Sequence, residues 1–255
     1  RKEFPSVAVI VSEDSPAYKV TIYDGDDPNL SMWMQWIYVT NDPFLDYSTP
    51  GSHHLGNYAP HSLSAANGII CVGTLRSAGH INNLNAGLRE FHFIEDTCFA
   101  TNNDKRVRFP TSIADRNVVT VDYKQVSPNT PIVNSNVNDV AITVLPNAPI
   151  DESTELPTPT IAVATADGVS IIKDDETVVD IVGTHGGSYN DTQFVDFDSK
   201  TNAVISGFDY GSSNTDAIYK LHVFPIPETD ITENATYNGY QNHHRRVQTG
   251  SNVTI

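Results

Sequence analysis

Apolar and polar residues alternate with a period of two along much of this chain. Ala17–Tyr23 (AYKVTIY) is the clearest run, and Val7–Ser12, Leu88–Ile94 and Asp139–Leu145 read as further strands rich in apolar residues. Side chains of a strand point alternately to its two faces, so this pattern predicts half-buried β-strands. Ser31–Val39 (SMWMQWIYV) predicts an aromatic-rich strand. Ile69–Thr74, Val118–Tyr123, Ala203–Phe208 and Ala217–Phe224 complete the set. The most regular stretch is Thr160–Val182, which reads as strand, Asp-Gly turn, strand, charged turn, strand. Ala166-Asp167-Gly168 stands where a tight hairpin needs positive φ. Helical patterns are scarce. Ile113–Asn117 predicts at most one turn, and residues 78–89 hold too much Asn and Gly for a stable helix.

The strand-opening segments begin near residues 7, 69, 118, 161 and 203, a spacing of roughly 40–60 residues. AYKVTIY (17–23) and IYKLHVF (218–224) share Tyr-Lys and the same apolar rhythm. Several strands per repeat at this period predict an all-β protein, a β-propeller or part of one, with about five antiparallel units over residues 1–236. A β-sandwich uses similar strands and turns, and the five-fold return of one hairpin favours the propeller. Residues 237–255 read as a polar tail or an interrupted further blade. Ile69, Cys71, Ile161, Val163, Ile171, Val204 and Val223 are expected in the core.

Charge narrows the partners. Asp and Glu outnumber Lys and Arg 31 to 15, for a formal charge of −16, which repels phosphate backbones and excludes nucleic acid as the main ligand. No apolar run approaches the roughly 20 residues of a helical membrane span. The chain opens on Arg1, which suggests processing or trimming from something longer. Cys71 and Cys98 form no CxxC pair. Cys71 sits in an apolar run and reads as a buried thiol, while a Cys71–Cys98 disulfide stays open.

The candidate chemistry lies in loops. His53, His54 and His61 share one, and His243-His244 form a second pair, but neither spacing matches a zinc motif. The acidic turn Asp24–Asn29 offers oxygen ligands for calcium without EF-hand spacing. Gly183-Thr184-His185-Gly186-Gly187 matches no phosphate loop or nucleophile elbow. Trp33 and Trp36 lie three positions apart, so a regular strand would face them oppositely and leave only one for stacking on a sugar. No catalytic motif or cofactor fingerprint emerges. The side chains favoured for contacting a ligand are Tyr47, His53, His54 and Tyr58, on the longest loop, with residues 75–87 and 124–138 as further candidate surfaces.

Residues 123–182, together with AYKVTIYDGDDPNLSMWMQW (17–36) and NGIICVGT (67–74), resemble a group of repeat-rich structural proteins of marine bacteriophages. The resemblance spans most of the chain and rests on strand-forming segments. It implies a β-propeller in a virion appendage such as a tail fibre, virion or extracellular in location. It implies virion proteins and further copies of the chain as partners, and a host-surface glycan as target. It brings no catalytic residues. Two other classes stay in view: a secreted propeller enzyme acting on a polysaccharide, and a bacterial surface adhesin.

Overall fold

Runs of Val, Ile and Thr, interrupted every few residues by Asn, Asp or Gly, fold here into short antiparallel strands. A computed structural model of the chain describes residues 4–13, 19–37, 59–75, 86–109, 112–115, 124–183, 191–198, 200–211 and 217–233. The first sheet is β1 (Ala8–Glu13), β2 (Lys19–Asp24) and β3 (Met32–Ile37). The second is β4 (Ala59–Ala66), β5 (Ile69–Leu75), β6 (Gly87–His92), β7 (Thr97–Thr101), β8 (Arg106–Phe109) and the short β9 (Lys124–Gln125). The third holds β10 (Val137–Thr143), β11 (Thr160–Thr165), β12 (Gly168–Ile172) and β13 (Val178–Gly183). The fourth is β14 (Thr192–Phe197), β15 (Val204–Gly211) and β16 (Ala217–Phe224). A last strand, β17 (Ile231–Glu233), returns to the edge of the third sheet and pairs in parallel with β13. The only helical turn among the described residues is a 3₁₀ turn at Ile113–Asp115.

The sheets stack face to face in chain order, and each of the three cores is one interface. Val20, Ile22 and Trp36 meet Ile70, Val72, Phe91 and Cys98 between the first and second sheets. Cys71 and Leu88 meet Val140, Ile161, Val163 and Ile172 between the second and third. Ala162, Ala164 and Ile171 meet Val195, Val204 and Phe224 between the third and fourth. The second and third sheets are thus apolar on both faces, which explains the unbroken apolar runs in β5 and β11. Successive sheets also meet through their first strands: β1 lies against β4, β4 against β10, and β10 against β14.

One local irregularity recurs. β4, β10 and β14 each carry a bulge that inserts one residue, His61, Asn138 or Gln193. The residue after each bulge pairs with a small residue of the next strand: Ser62 with Gly73, Asp139 with Ala164, Phe194 with Gly207. A bulge increases local twist and re-aims the following side chain. The re-aimed residues reach across sheets. Ser62 Oγ donates to Asp139 Oδ1 at 2.5 Å, and the Val195 amide donates to Asp139 Oδ2 at 3.1 Å.

Several expectations shift in this frame. The described residues give four sheets. Residues 69, 161 and 203 stand at the second strand of a sheet, because the repeat visible in the sequence is the small-residue strand opposite each bulge. Residue 118 and residues 237–255 lie outside the described residues. Of the expected core, Cys71, Ile161, Val163, Ile171 and Val204 are buried. Ile69 and Val223 are half-buried. Val223 pairs with Ile205 and turns away from the third sheet, so its neighbour Phe224 fills the core instead. Trp33 is the bulged residue of β3, opposite neither Ile22 nor Tyr23. That extra residue reverses the parity, and both tryptophans pack on Phe93, at ring distances of 5.7 and 5.9 Å. The hairpin at Ala166-Asp167 closes as expected, with positive φ on Gly168 alone (143°). The turn joining β4 to β5 has positive φ at both Asn67 (47°) and Gly68 (74°), the type I′ geometry that Asn-Gly favours.

Candidate functional site: a charged cleft between the second and third sheets

Strand pairing aligns Cys71, Glu90, Phe99 and Arg108 in one row across β5–β8, on the face turned toward the third sheet. Leu88 and Thr101 form the adjoining row with Arg106, while His92 pairs with Thr97 on the other side. Two charged side chains are therefore placed inside an apolar interface. Glu90 and Arg106 are both buried, and Arg106 Nη2 lies 3.0 Å from Glu90 Oε2. Thr101 Oγ1 donates to Glu90 Oε1 at 3.4 Å. The Arg106 guanidinium lies 4.5 Å from the centre of the Phe99 ring, whose face favours a cation. A buried ion pair survives desolvation best when its remaining polar atoms find partners. Glu90 Oε1 has Thr101, whereas Arg106 Nε is buried without a hydrogen-bond partner among the described residues.

His92 extends the network toward solvent. Its Nε2 is 3.4 Å from Glu90 Oε2, its Nδ1 is 3.2 Å from Glu95 Oε2, and its ring meets the Phe99 ring edge-on at 5.0 Å. Burial alone would lower the imidazole's pKa. The hydrogen bonds and charges of Glu90 and Glu95 outweigh burial and raise it from 6.5 to about 8. Burial would likewise raise Glu90, but the Arg106 charge and the His92 hydrogen bond bring it down to about 2. His92 is thus an imidazolium at neutral pH, donating from both ring nitrogens. Beside it, Cys71 is held as a thiol by burial first and by the Glu90 charge second.

The third sheet supplies the opposite wall through the β10–β11 connection and the β12–β13 turn. Asp151 organises the connection by accepting from the Ser153 amide and hydroxyl, each at 2.6 Å. Ser153 Oγ then reaches Glu95 Oε1 at 3.3 Å, and Asn67 Nδ2 donates to the Pro157 carbonyl at 2.8 Å. Glu176 Oε1, from the second turn, lies 3.9 Å from Arg106 Nη1. A cleft of about 270 Å³ remains, lined by His92, Ile94, Arg108, Leu156 and Glu176 among others. Its walls carry charges of both signs: His92 is paired with Glu95, and Arg108 Nε donates to Thr97 Oγ1 at 2.9 Å.

Tyr47, His53, His54 and Tyr58 lie outside the described residues, as do His243 and His244. His61 is exposed at the β4 bulge. Residues 124–138 are not a projecting loop. Ile132 and Val137 are buried between the second and third sheets, and the Val133 amide donates to Ser170 Oγ at 2.8 Å. In the acidic turn 24–29 the carboxylates are engaged within the chain: Asp26 accepts from Ser6, and Asp27 from Asn29 and Ser31. Those hydrogen bonds, the Ser31 hydroxyl first, lower the pKa of Asp27. Among the described residues, no three His, Cys, Asp or Glu side chains gather as a metal site would need.

Sequence reasoning passed over Glu90, His92, Arg106 and Arg108. The signal present was charge inside a strand: LREFHFI places Glu90 and His92 two apart, on one face. RVRF does the same with two arginines. No protein-family model and no curated protein matches this chain.

Proposed function

We propose that this chain is a non-catalytic structural protein of a bacteriophage virion, part of a tail fibre or related appendage, in which a β-propeller or a segment of one presents a host-surface contact. The observation that carries this reading is the stack: four sheets in chain order, first strand against first strand, with one bulge repeated in three of them. Blades of a propeller meet in this way around their axis. The charged cleft supports the same reading. A general base needs a free lone pair, and both His92 nitrogens are bound to carboxylates. The cluster joins two sheets, with His92 held as a bridge between Glu90 and Glu95. Host-surface glycan is the target class, met by the segment that carries Tyr47, His53, His54 and Tyr58.

Purified chain incubated with host-surface glycans tests the binding role when retention and product release are measured together. Retention without release of shortened sugars is expected, and retention should fall when the four side chains are replaced. Steady sugar release would replace this reading with the polysaccharide enzyme. Genes for capsid and tail proteins beside the coding sequence are expected, and a metabolic operon there would overturn the virion context. Class averages in the electron microscope should show blades around a central axis.

A further inference from the structure

The interfaces between the bulged strands follow one rule, and among the described residues the first and fourth sheets each have one face outside it. At each observed interface of the bulged strands, the residue after the bulge reaches forward to the next sheet: Ser62 to Asp139, and Asp139 to the Val195 amide. The residue following it faces back and is packed by the preceding sheet: Leu63, Val140 and Val195. Phe194 is the equivalent forward-reaching residue of the fourth sheet. Its ring lies over Gly207, where an added Cβ would come within 2.0 Å of it, and it is 40% exposed. Half-buried Ile205 and Val223 share that outer face.

The first sheet shows the converse. Ala8 and Ile10 of β1 pack on the second sheet. Val7, Val9 and Val11 alternate with them on the backward face and are 57%, 43% and 37% exposed, and Met32 beside them is 59% exposed. In the second to fourth sheets the backward-facing apolar residues beside the bulges, Leu63, Val140 and Val195, are packed by the sheet before. Stacked repeats need polar outer faces at their ends to stay apart. Among the described residues both ends expose apolar side chains, beside the exposed Asp196 on the fourth sheet. One face offers a protruding aromatic on a first strand, and the other an apolar row on a first strand.

We propose that copies of this chain associate head to tail, the β14–β16 face of one docking on the β1–β3 face of the next, with Phe194 seated against Val7, Val9 and Val11. The occupant is a second copy because β1 lies against β4 as β4 lies against β10 and β10 against β14, so the same stacking continued past β14 places a further β1 there. Such a contact is heterologous, so it closes into a ring or extends into a filament according to the rotation between copies. The inference deepens the structural role proposed above and rests on it only for its purpose. Its test reads assembly alone, whereas glycan retention and gene context read that role, so either can fail by itself.

The test is sedimentation of the whole chain over a range of concentrations, with two variants that each spoil one end. Val9→Asp/Val11→Asp removes the receiving face, and Phe194→Asp removes the protruding one. The exposed positions should tolerate the charges; should either variant lose its β-type dichroism, Val9→Thr/Val11→Thr or Phe194→Ser takes its place. Wild type is expected to form concentration-dependent oligomers and each variant to sediment as a monomer. An equimolar mixture of the two variants should regain one intact interface and form dimers that grow no further. A wild type that stays monomeric throughout would overturn the proposal. So would loss of assembly in the valine variant alone, which would mean that β1–β3 faces pair with each other, or two variants that both assemble like wild type.

Discussion

Arg106 and Glu90 show why burial decides what a charge is worth. Arg106→Met leaves the Glu90 carboxylate inside an apolar interface with His92 as its remaining cationic partner. Breaking a buried pair from one side costs roughly 3–5 kcal/mol, so this variant should melt well below wild type. The double change Glu90→Met/Arg106→Met should recover most of the loss, and equal melting of the single variant and wild type would show that the pair is not held as described. His92 adds a pH dependence whose sign follows from its raised pKa. Its contribution is fully present below pH 6.5 and is lost as pH rises through about 8. Glu90 acts on the opposite limb: its contribution is present above pH 4.5 and is lost as pH falls toward 2. Urea midpoints between pH 6 and pH 9 should therefore decline, and His92→Gln should flatten that decline.

At the scale of the strand, the bulge and the small residue opposite it act as a unit. A Cβ at Gly73 would sit 2.6 Å from Val137 Cγ1 of the third sheet, so this position sets how closely two sheets approach. Gly73→Val should destabilise by roughly 1–3 kcal/mol or more, the usual cost of overpacking, and chemical denaturation measures it. Unchanged stability would mean that the second and third sheets do not pack here. Ser62→Ala leaves Asp139 with one cross-sheet donor fewer and the Val140 amide without the Ser62 hydroxyl, which accepts from it at 3.1 Å. The strands themselves were legible in alternation and β-branched content. Their parity was not legible wherever a bulge intervened. Trp33 illustrates the reason: alternation predicts opposite faces for Trp33 and Trp36, and one inserted residue brings both onto Phe93.

For the whole molecule, the second sheet is shared by two cores and carries one thiol in each. Cys98 lies in the core with the first sheet and Cys71 in the core with the third, both buried and neither in a disulfide. If the stack opens as one unit, single-thiol variants keeping either cysteine should resist reagents in native buffer and label at equal rates in denaturant. Labelling of Cys98 at denaturant concentrations where Cys71 stays protected would show instead that the first sheet detaches separately. Ile161→Ala and Ile171→Ala probe opposite faces of the third sheet, and each should cost about 2–5 kcal/mol in thermal or chemical denaturation.

The sequence by itself determined that the chain makes short strands with almost no helix, because period-two alternation and turn chemistry act within a few residues. It also carried the repeated strand of IICVGT, TIAVAT and AVISGF, whose small residues are a local property. Only the tertiary structure decided that these are second strands facing bulges, that the sheets stack in chain order, and that Glu90, His92 and Arg106 converge with Glu176. Those facts depend on contacts between residues tens of positions apart, and on parity that one bulged residue reverses. The same reason explains why Val223 exchanged places with Phe224: alternation says that the two differ, but only the neighbouring sheet says which of them is inside.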